Sequence, residues 1–164
     1  MVMGVAGAGK TTLGLELSRM LGWEFVDADS LHSPENIEKM HAGIPLTDVD
    51  RKPWLEDVAR RIQGCLSEKR NCVFACSALK ESYRRTLIFS PEVRLVYLAI
   101  TPELAQKRVA QRTTTHFMPP SLVESQLADL ESPKDAIVLD GGEEPEKLVK
   151  CVVTSLGISW KTLS

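Results

Sequence analysis

Eight residues near the start of the chain, Gly4-Val5-Ala6-Gly7-Ala8-Gly9-Lys10-Thr11, fit the pattern G-x-x-x-x-G-K-[ST] in full. Glycines let the backbone fold so that successive N–H groups converge on a phosphate, and a helix beginning near Lys10 adds the positive end of its dipole. Lys10 then reaches the β- and γ-phosphates of a nucleotide, and the Thr11 hydroxyl ligates Mg²⁺. Gly4, Val5, Ala6, Gly7, Ala8, Gly9, Lys10, Thr11 and Thr12 are thus the nucleotide-binding candidates. The loop by itself does not separate kinases from ATPases, GTPases or switches, so the acceptor must be sought elsewhere in the chain.

The second cluster is Asp27-Ala28-Asp29-Ser30-Leu31-His32, which follows a strand-like run. Ligands of open α/β sheets bind at the carboxyl ends of strands, and alternate strand residues share a face, so Asp27 and Asp29 are read as looking into one crevice. One carboxylate near Mg²⁺ and another accepting the proton of an acceptor hydroxyl is a workable division of labour; a capping pair at a strand end is the competing reading. Arg51 follows, with Asp48 or Asp50 as the helix cap beside it. Lys80 and Arg84 are four apart after Cys76-Ser77-Ala78-Leu79, so a helix presents both on one face, suited to a carboxylate or a phosphate. Arg108 and Arg112 precede Thr113-Thr114-Thr115-His116-Phe117, the pattern of a mobile lid around 108–120 that carries arginine over phosphates while water is excluded. His116 alone reads as a packed or capping histidine.

Positioning these groups requires a scaffold, and apolar runs alternate with amphipathic stretches as in an α/β fold with a parallel sheet. Strands are expected over 1–3, 23–26, 71–76, 93–100 and 136–139, and helices over 10–21, 34–41, 50–68, 81–87, 102–112, 120–130 and 145–156. Runs such as Val73-Phe74-Ala75 are continuously apolar, as expected when helices cover both faces, which gives a three-layer sandwich around a five-stranded parallel sheet. The 164 residues fit one domain, 1–164, with 43% hydrophobic and 26% charged residues. A net charge of −2 provides no general field for nucleic acid or an anionic membrane, so anionic ligands need a local site. There is no run of 18 apolar residues and no signal-peptide pattern at the N-terminus, so the expected address is the cytosol. Cys65, Cys72, Cys76 and Cys151 have no CxxC pairing and are read as reduced thiols, with Cys72 and Cys76 about 13 Å apart along one strand.

Taken in order, Asp27 to His32, Asn36-Ile37-Glu38-Lys39-Met40, Gly43 to Asp48, Asp50-Arg51, Pro53-Trp54-Leu55, Cys76 to Lys80, Tyr83-Arg84 and His116-Phe117-Met118 resemble the landmarks of the bacterial-type gluconokinases. The resemblance spans about residues 1–133, and the blocks at 36–55 and 76–80 are its specific part. It implies a P-loop kinase fold of the shikimate and adenylate kinase kind, and MgATP-dependent phosphorylation of D-gluconate at O6. It implies that Lys10, Asp29 and Arg112 act in the transfer, with Asp29 at the sugar-acid hydroxyl. Asp27 and Thr11 would lie on the metal side. His32, Arg51, Lys80, Arg84 and His116 would face gluconate, and Arg108 would face ATP. A homodimer is also implied. The alternatives within reach of the same loop are a shikimate-like small-molecule kinase and a nucleotide-binding paralogue without turnover. The lid departs from the family pattern, with Thr113-Thr114-Thr115 in place of a Gly before His-Phe, and the first strand is short.

Overall fold

The computed structural model describes residues 1–111 and 121–158, of which Ser121 is described by its backbone alone. Its elements run β1 (Val2–Met3), α1 (Lys10–Leu21), β2 (Glu24–Asp27), a 3₁₀ turn (Ala28–Leu31), α2 (Pro34–His41), α3 (Asp48–Ser67), β3 (Cys72–Ala75), α4 (Glu81–Leu87), β4 (Val96–Ala99), α5 (Pro102–Ala110), α6 (Ser121–Asp129), β5 (Ile137–Asp140) and α7 (Pro145–Ser155). The five strands form one parallel sheet in the order β2-β3-β1-β4-β5. The order reverses at β1, so the loop after β1 opens at a switch point of the sheet.

Alternation along each strand divides the core between the two faces. Val2, Val73, Val96 and Leu98 pack with Leu13 and Leu17 of α1 and Leu148, Val149, Val152 and Val153 of α7. Met3, Phe74, Cys76 and Tyr97 point the other way, onto Trp54, Leu55, Val58 and Ile62 of α3 and Tyr83 and Leu87 of α4. Both faces are therefore covered, and the predicted three-layer sandwich is present. No described helix is long and apolar enough to cross a membrane.

Several boundaries differ from expectation for local reasons. The helix expected from residue 50 begins at Asp48, because Thr47 is the cap: its hydroxyl accepts from the Asp50 N–H while the Asp50 carboxylate accepts from the Thr47 N–H. Neither Asp48 nor Asp50 is the cap residue. β2 ends at Asp27, so Asp29 lies on the 3₁₀ turn and the strand-alternation argument for it does not apply. β4 is shorter than the apolar run 93–100, since only Val96–Ala99 pair with β5. All four cysteines are free.

Candidate active site

The phosphate loop is held open by backbone geometry. Gly7 adopts φ +84°, and a Cβ there would stand 2.7 Å from the Ala105 carbonyl of α5, so no other residue fits. Gly9 caps α1 at φ +97° with open space around it; there the conformation alone selects glycine. The Ala6 N–H donates to Gln126 Oε1 of α6 at 2.7 Å in a buried contact. Lys10 Nζ lies against its own loop, 3.1 Å from the Val5 carbonyl. Arg108 of α5 donates through Nη1 to the Gly7 carbonyl at 3.3 Å and the Gly141 carbonyl at 2.7 Å, tying the loop to the β5–α7 connection. Between them lies a cleft of about 270 Å³ lined by Gly7, Gly9, Thr12, Arg108, Gly141 and Gly142, among others.

Thr11 and Asp27 meet beside this loop, the hydroxyl donating to Asp27 Oδ2 at 3.2 Å. The other carboxylate oxygen, Oδ1, accepts from the Asp29 N–H at 3.1 Å and so caps the 3₁₀ turn. Asp27 is thus the capping residue that one reading of its position expected, and it also touches the Thr11 hydroxyl. The Trp54 indole N–H donates to the Ala28 carbonyl at 2.7 Å, fixing the same turn from α3.

Asp29, His32, Arg51 and Ser77 line a second, small cleft with Met40, Leu46, Trp54, Leu122 and Gln126. Its volume is about 30 Å³, room for little more than water. The His32 ring stacks on Trp54 at 4.4 Å with a 13° interplanar angle, and among the described residues its buried Nδ1 has no hydrogen-bond partner. Burial, helped by the Arg51 charge, lowers the His32 pKa to about 4, so the ring is neutral at pH 7.

Arg51 is placed by a scaffold that explains the 36–50 block. Asn36 Nδ2 donates to the Asp50 carbonyl at 2.8 Å and Lys39 pairs with the Asp50 carboxylate at 2.6 Å, binding α2 to the first turn of α3. The Lys39 hydrogen bond, with those from Thr47, lowers the Asp50 pKa to about 2. From that turn Arg51 Nη1 reaches Tyr83 Oη at 3.1 Å and Asp129 at 3.2 Å. Lys80, the residue before α4, pairs with Asp48 at 2.9 Å and approaches Asp129 at 3.6 Å, while the Tyr83 hydroxyl donates to Asp48. The Tyr83 and Lys80 hydrogen bonds hold the Asp48 carboxyl below its usual range.

The structure therefore brings Asp29, His32 and Arg51 into one cleft and sets Lys80 beside Arg51 through Asp129. Arg84 is elsewhere: 7% exposed, it donates through Nη1 to the carbonyls of Ala78 at 3.0 Å and Leu79 at 2.7 Å. Lys80 and Arg84 do not present one cationic face, because Lys80 precedes the helix and Arg84 turns under it. The segment that Arg84 holds includes Ala78 at φ +44°, a strained conformation for a residue with a side chain. Arg112 and His116 lie outside the described residues. Sequence reasoning missed Gln126 and Asp129; the signal for Gln126 was a polar side chain within the apolar stripe Leu122-Val123-Gln126-Leu127-Leu130.

A model of the shikimate kinase family matches residues 6–155. The chain is 43% identical over 155 residues to a gluconokinase of Gluconobacter oxydans strain 621H, covering 91% of this chain and 85% of that one. It is similar to the crystal structure of an unliganded sugar kinase from Janibacter sp. HTCC2649, with TM-score 0.89, 42% identity and coverage of 99% and 96%. It is similar also to a gluconokinase structure from Sinorhizobium meliloti 1021, with TM-score 0.82, 38% identity and coverage of 95% and 89%.

Proposed function

This chain belongs to the shikimate kinase family and, within it, to the gluconokinases, and from that premise we infer that it transfers the γ-phosphate of ATP to O6 of D-gluconate. The observation that carries this reading is the adjacency of two sites at the carboxyl ends of the strands. Thr11 and Asp27 close the phosphate loop on one side, and the Asp27 carboxylate caps the turn that puts Asp29 into the acceptor cleft.

In the proposed complex the N–H groups of Gly4 to Thr12 and the Lys10 ammonium receive the phosphates, Lys10 leaving the Val5 carbonyl to do so. The cleft between Gly9, Arg108 and Gly142 takes the rest of the nucleotide. Thr11 and Asp27 fit Mg²⁺, being a hydroxyl and a carboxylate already in contact, both hard oxygen donors. When bound, that ion neutralises charge on the β- and γ-phosphate oxygens. Asp29 orients the acceptor hydroxyl and takes its proton, and the loop cations lower the barrier by position and charge.

Arg51 and Lys80 supply the positive charge for a monocarboxylate, with neutral His32 available for polyol hydroxyls. Arg84 serves this cleft by holding the 76–80 connection. Six carbons need more room than about 30 Å³, so the cleft widens to admit gluconate, and the lid around 108–120 is assigned on the sequence pattern alone. Arg112 and His116 are assigned to that lid on the sequence resemblance. One kinase domain over 1–164, a cytosolic address and a homodimer complete this reading.

The test is coupled ADP release with a panel of gluconate, other sugar acids, shikimate and nucleosides. Turnover is expected with gluconate above all others. Turnover with shikimate instead, or ATP binding by calorimetry with no turnover at saturating gluconate, would replace this reading by one of its alternatives.

A further inference from the structure

At the amino-terminal end of the strands, opposite the phosphate loop, two thiols stand against each other. Cys65 lies in the last turns of α3 and Cys72 opens β3, seven positions later. Cys72 Sγ is 2.7 Å from Cys65 Sγ, far closer than separate sulfurs rest, and 3.7 Å from the Glu24 carboxylate at the start of β2. Glu24 and Cys72 are register partners, so the cluster is fixed by strand pairing. Cys65 is 3% exposed and Cys72 half-buried. Both line a cleft of about 640 Å³ whose wall also carries Lys69, Arg70 and Arg94.

Glu24, Cys65 and Cys72 are donor types that suit a soft cation, but their arrangement does not. The Glu24 oxygens are each taken by a guanidinium, Arg61 on one and Arg70 on the other. Two thiolates at about 2.3 Å from one tetrahedral zinc would stand about 3.8 Å apart, well beyond the sulfur separation here. Close, mutually facing thiols with one accessible partner instead suit the formation of a bond between them.

We propose that Cys65 and Cys72 are a redox-active dithiol that closes to an intrachain disulfide by exchange with an anionic low-molecular-weight disulfide. The more exposed Cys72 gives up its proton and attacks one sulfur of the reagent, forming a mixed disulfide and releasing one thiolate, which takes up a proton. Cys65 then loses its proton and attacks Cys72 Sγ, breaking the mixed disulfide and releasing the second thiol. Two protein thiols are oxidised, and one small disulfide is reduced to two small thiols. Arg70 is held by Glu24 and Glu68, and Glu92 shares the wall, so Lys69 and Arg94 are the cations that favour a reagent bearing carboxylates.

Burial, reinforced by the hydrogen bond to Cys65, pushes the Cys72 thiol up to about 12, with Glu24 adding to the rise and Arg70 opposing it. Exchange is accordingly slow at neutral pH and speeds up about tenfold per unit as the thiolate fraction grows. The result is a slowly set staple between α3 and β3, remote from the residues assigned to transfer.

The experiment uses the full chain, incubated with excess glutathione disulfide at about pH 8.5, then alkylated and digested with trypsin. Cleavage after Lys69 and Arg70 separates the peptides of Cys65 and Cys72 unless a disulfide joins them. The expected result is the joined pair, released by reductant, with a raised unfolding midpoint and an ADP-release rate within about twofold of the reduced protein. Cys65→Ser is expected to accumulate a glutathione adduct at Cys72, and Cys72→Ser to leave Cys65 unmodified. A persistent adduct at Cys72 in the unaltered chain, or two free thiols after prolonged incubation, overturns the proposal. So does stoichiometric binding of Zn²⁺ that both variants abolish. Reduced protein assayed in parallel keeps this outcome separate from the gluconate test.

Discussion

The Arg51 guanidinium lies 3.2 Å from the Asp129 carboxylate, an ion pair that joins the acceptor cleft to α6. Their side chains are 13% and 27% exposed, and Lys80 shares the same carboxylate at 3.6 Å. Asp129 therefore occupies the cations assigned to the sugar-acid carboxylate and competes with it. Asp129→Asn is expected to lower KM for gluconate about fivefold, equivalent to about 1 kcal/mol, with a smaller change in kcat. Steady-state rates at saturating ATP and varied gluconate read this directly, and a raised KM would show that Asp129 supports binding.

Asp29 and Thr11 are expected to fail in different ways. Asp29→Asn keeps the backbone N–H that Asp27 caps, so the turn survives while the proton acceptor is lost. The turnover rate should fall by about 10³-fold with ATP affinity nearly unchanged. Thr11→Val removes the hydroxyl beside Asp27 and should instead raise the Mg²⁺ concentration needed for half-maximal rate. Calorimetry of ATP binding and a Mg²⁺ titration of the rate separate the two. Substantial transfer by Asp29→Asn would mean that another group takes the proton.

The phosphate loop was legible because its glycines and Lys10-Thr11 are local in sequence, and the sheet because continuous apolar strands announce helices on both faces. Asp29 lines a cleft, but from a 3₁₀ turn and not from the strand that alternation assumed: the Asp27 side chain ends the strand by capping that turn, an event that alternation does not describe. Thr47 was overlooked as a cap because Asp48 and Asp50 are equally good cap types, and only the reciprocal bonds with Asp50 decide among them. Arg84 looked like a partner of Lys80 from their spacing; a helix that starts one residue after Lys80 breaks that periodicity. The Cys65–Cys72 contact depends on how a helix end and a strand start fold back on each other, which residue spacing does not encode.

Lys80 and Arg84 should separate cleanly on mutation. Arg84→Met takes the buried donor from the Ala78 carbonyl and a second donor from the Leu79 carbonyl, which keeps the Glu131 N–H at 3.0 Å, in a segment with Ala78 already at positive φ. A loss of about 2–3 kcal/mol in unfolding free energy is expected. Lys80→Met removes a cation paired with Asp48 and Asp129, at 25% side-chain exposure, and should change stability by less than about 1 kcal/mol while raising KM for gluconate. Urea unfolding and gluconate kinetics on both variants check this; equal stability losses would place Lys80 in the framework too.

His32 gives the fold a defined pH dependence. Its folded pKa of about 4 lies below the ordinary value of 6.5, chiefly through burial against Trp54 and secondarily through the Arg51 charge. Between those two values the unfolded chain binds a proton that the native protein refuses, so stability falls as pH drops from about 6.5 and levels off below about 4 from this group. Allowing for partial exposure, the loss is on the order of 2 kcal/mol between pH 7 and pH 4.5. His32→Phe retains an aromatic face for Trp54 and cannot titrate, so it should lack this component while sharing every other acid effect. Urea midpoints for the two proteins at both pH values give the difference. If wild type and His32→Phe lose the same stability on acidification, His32 accepts its proton as readily in the folded state as in the unfolded one.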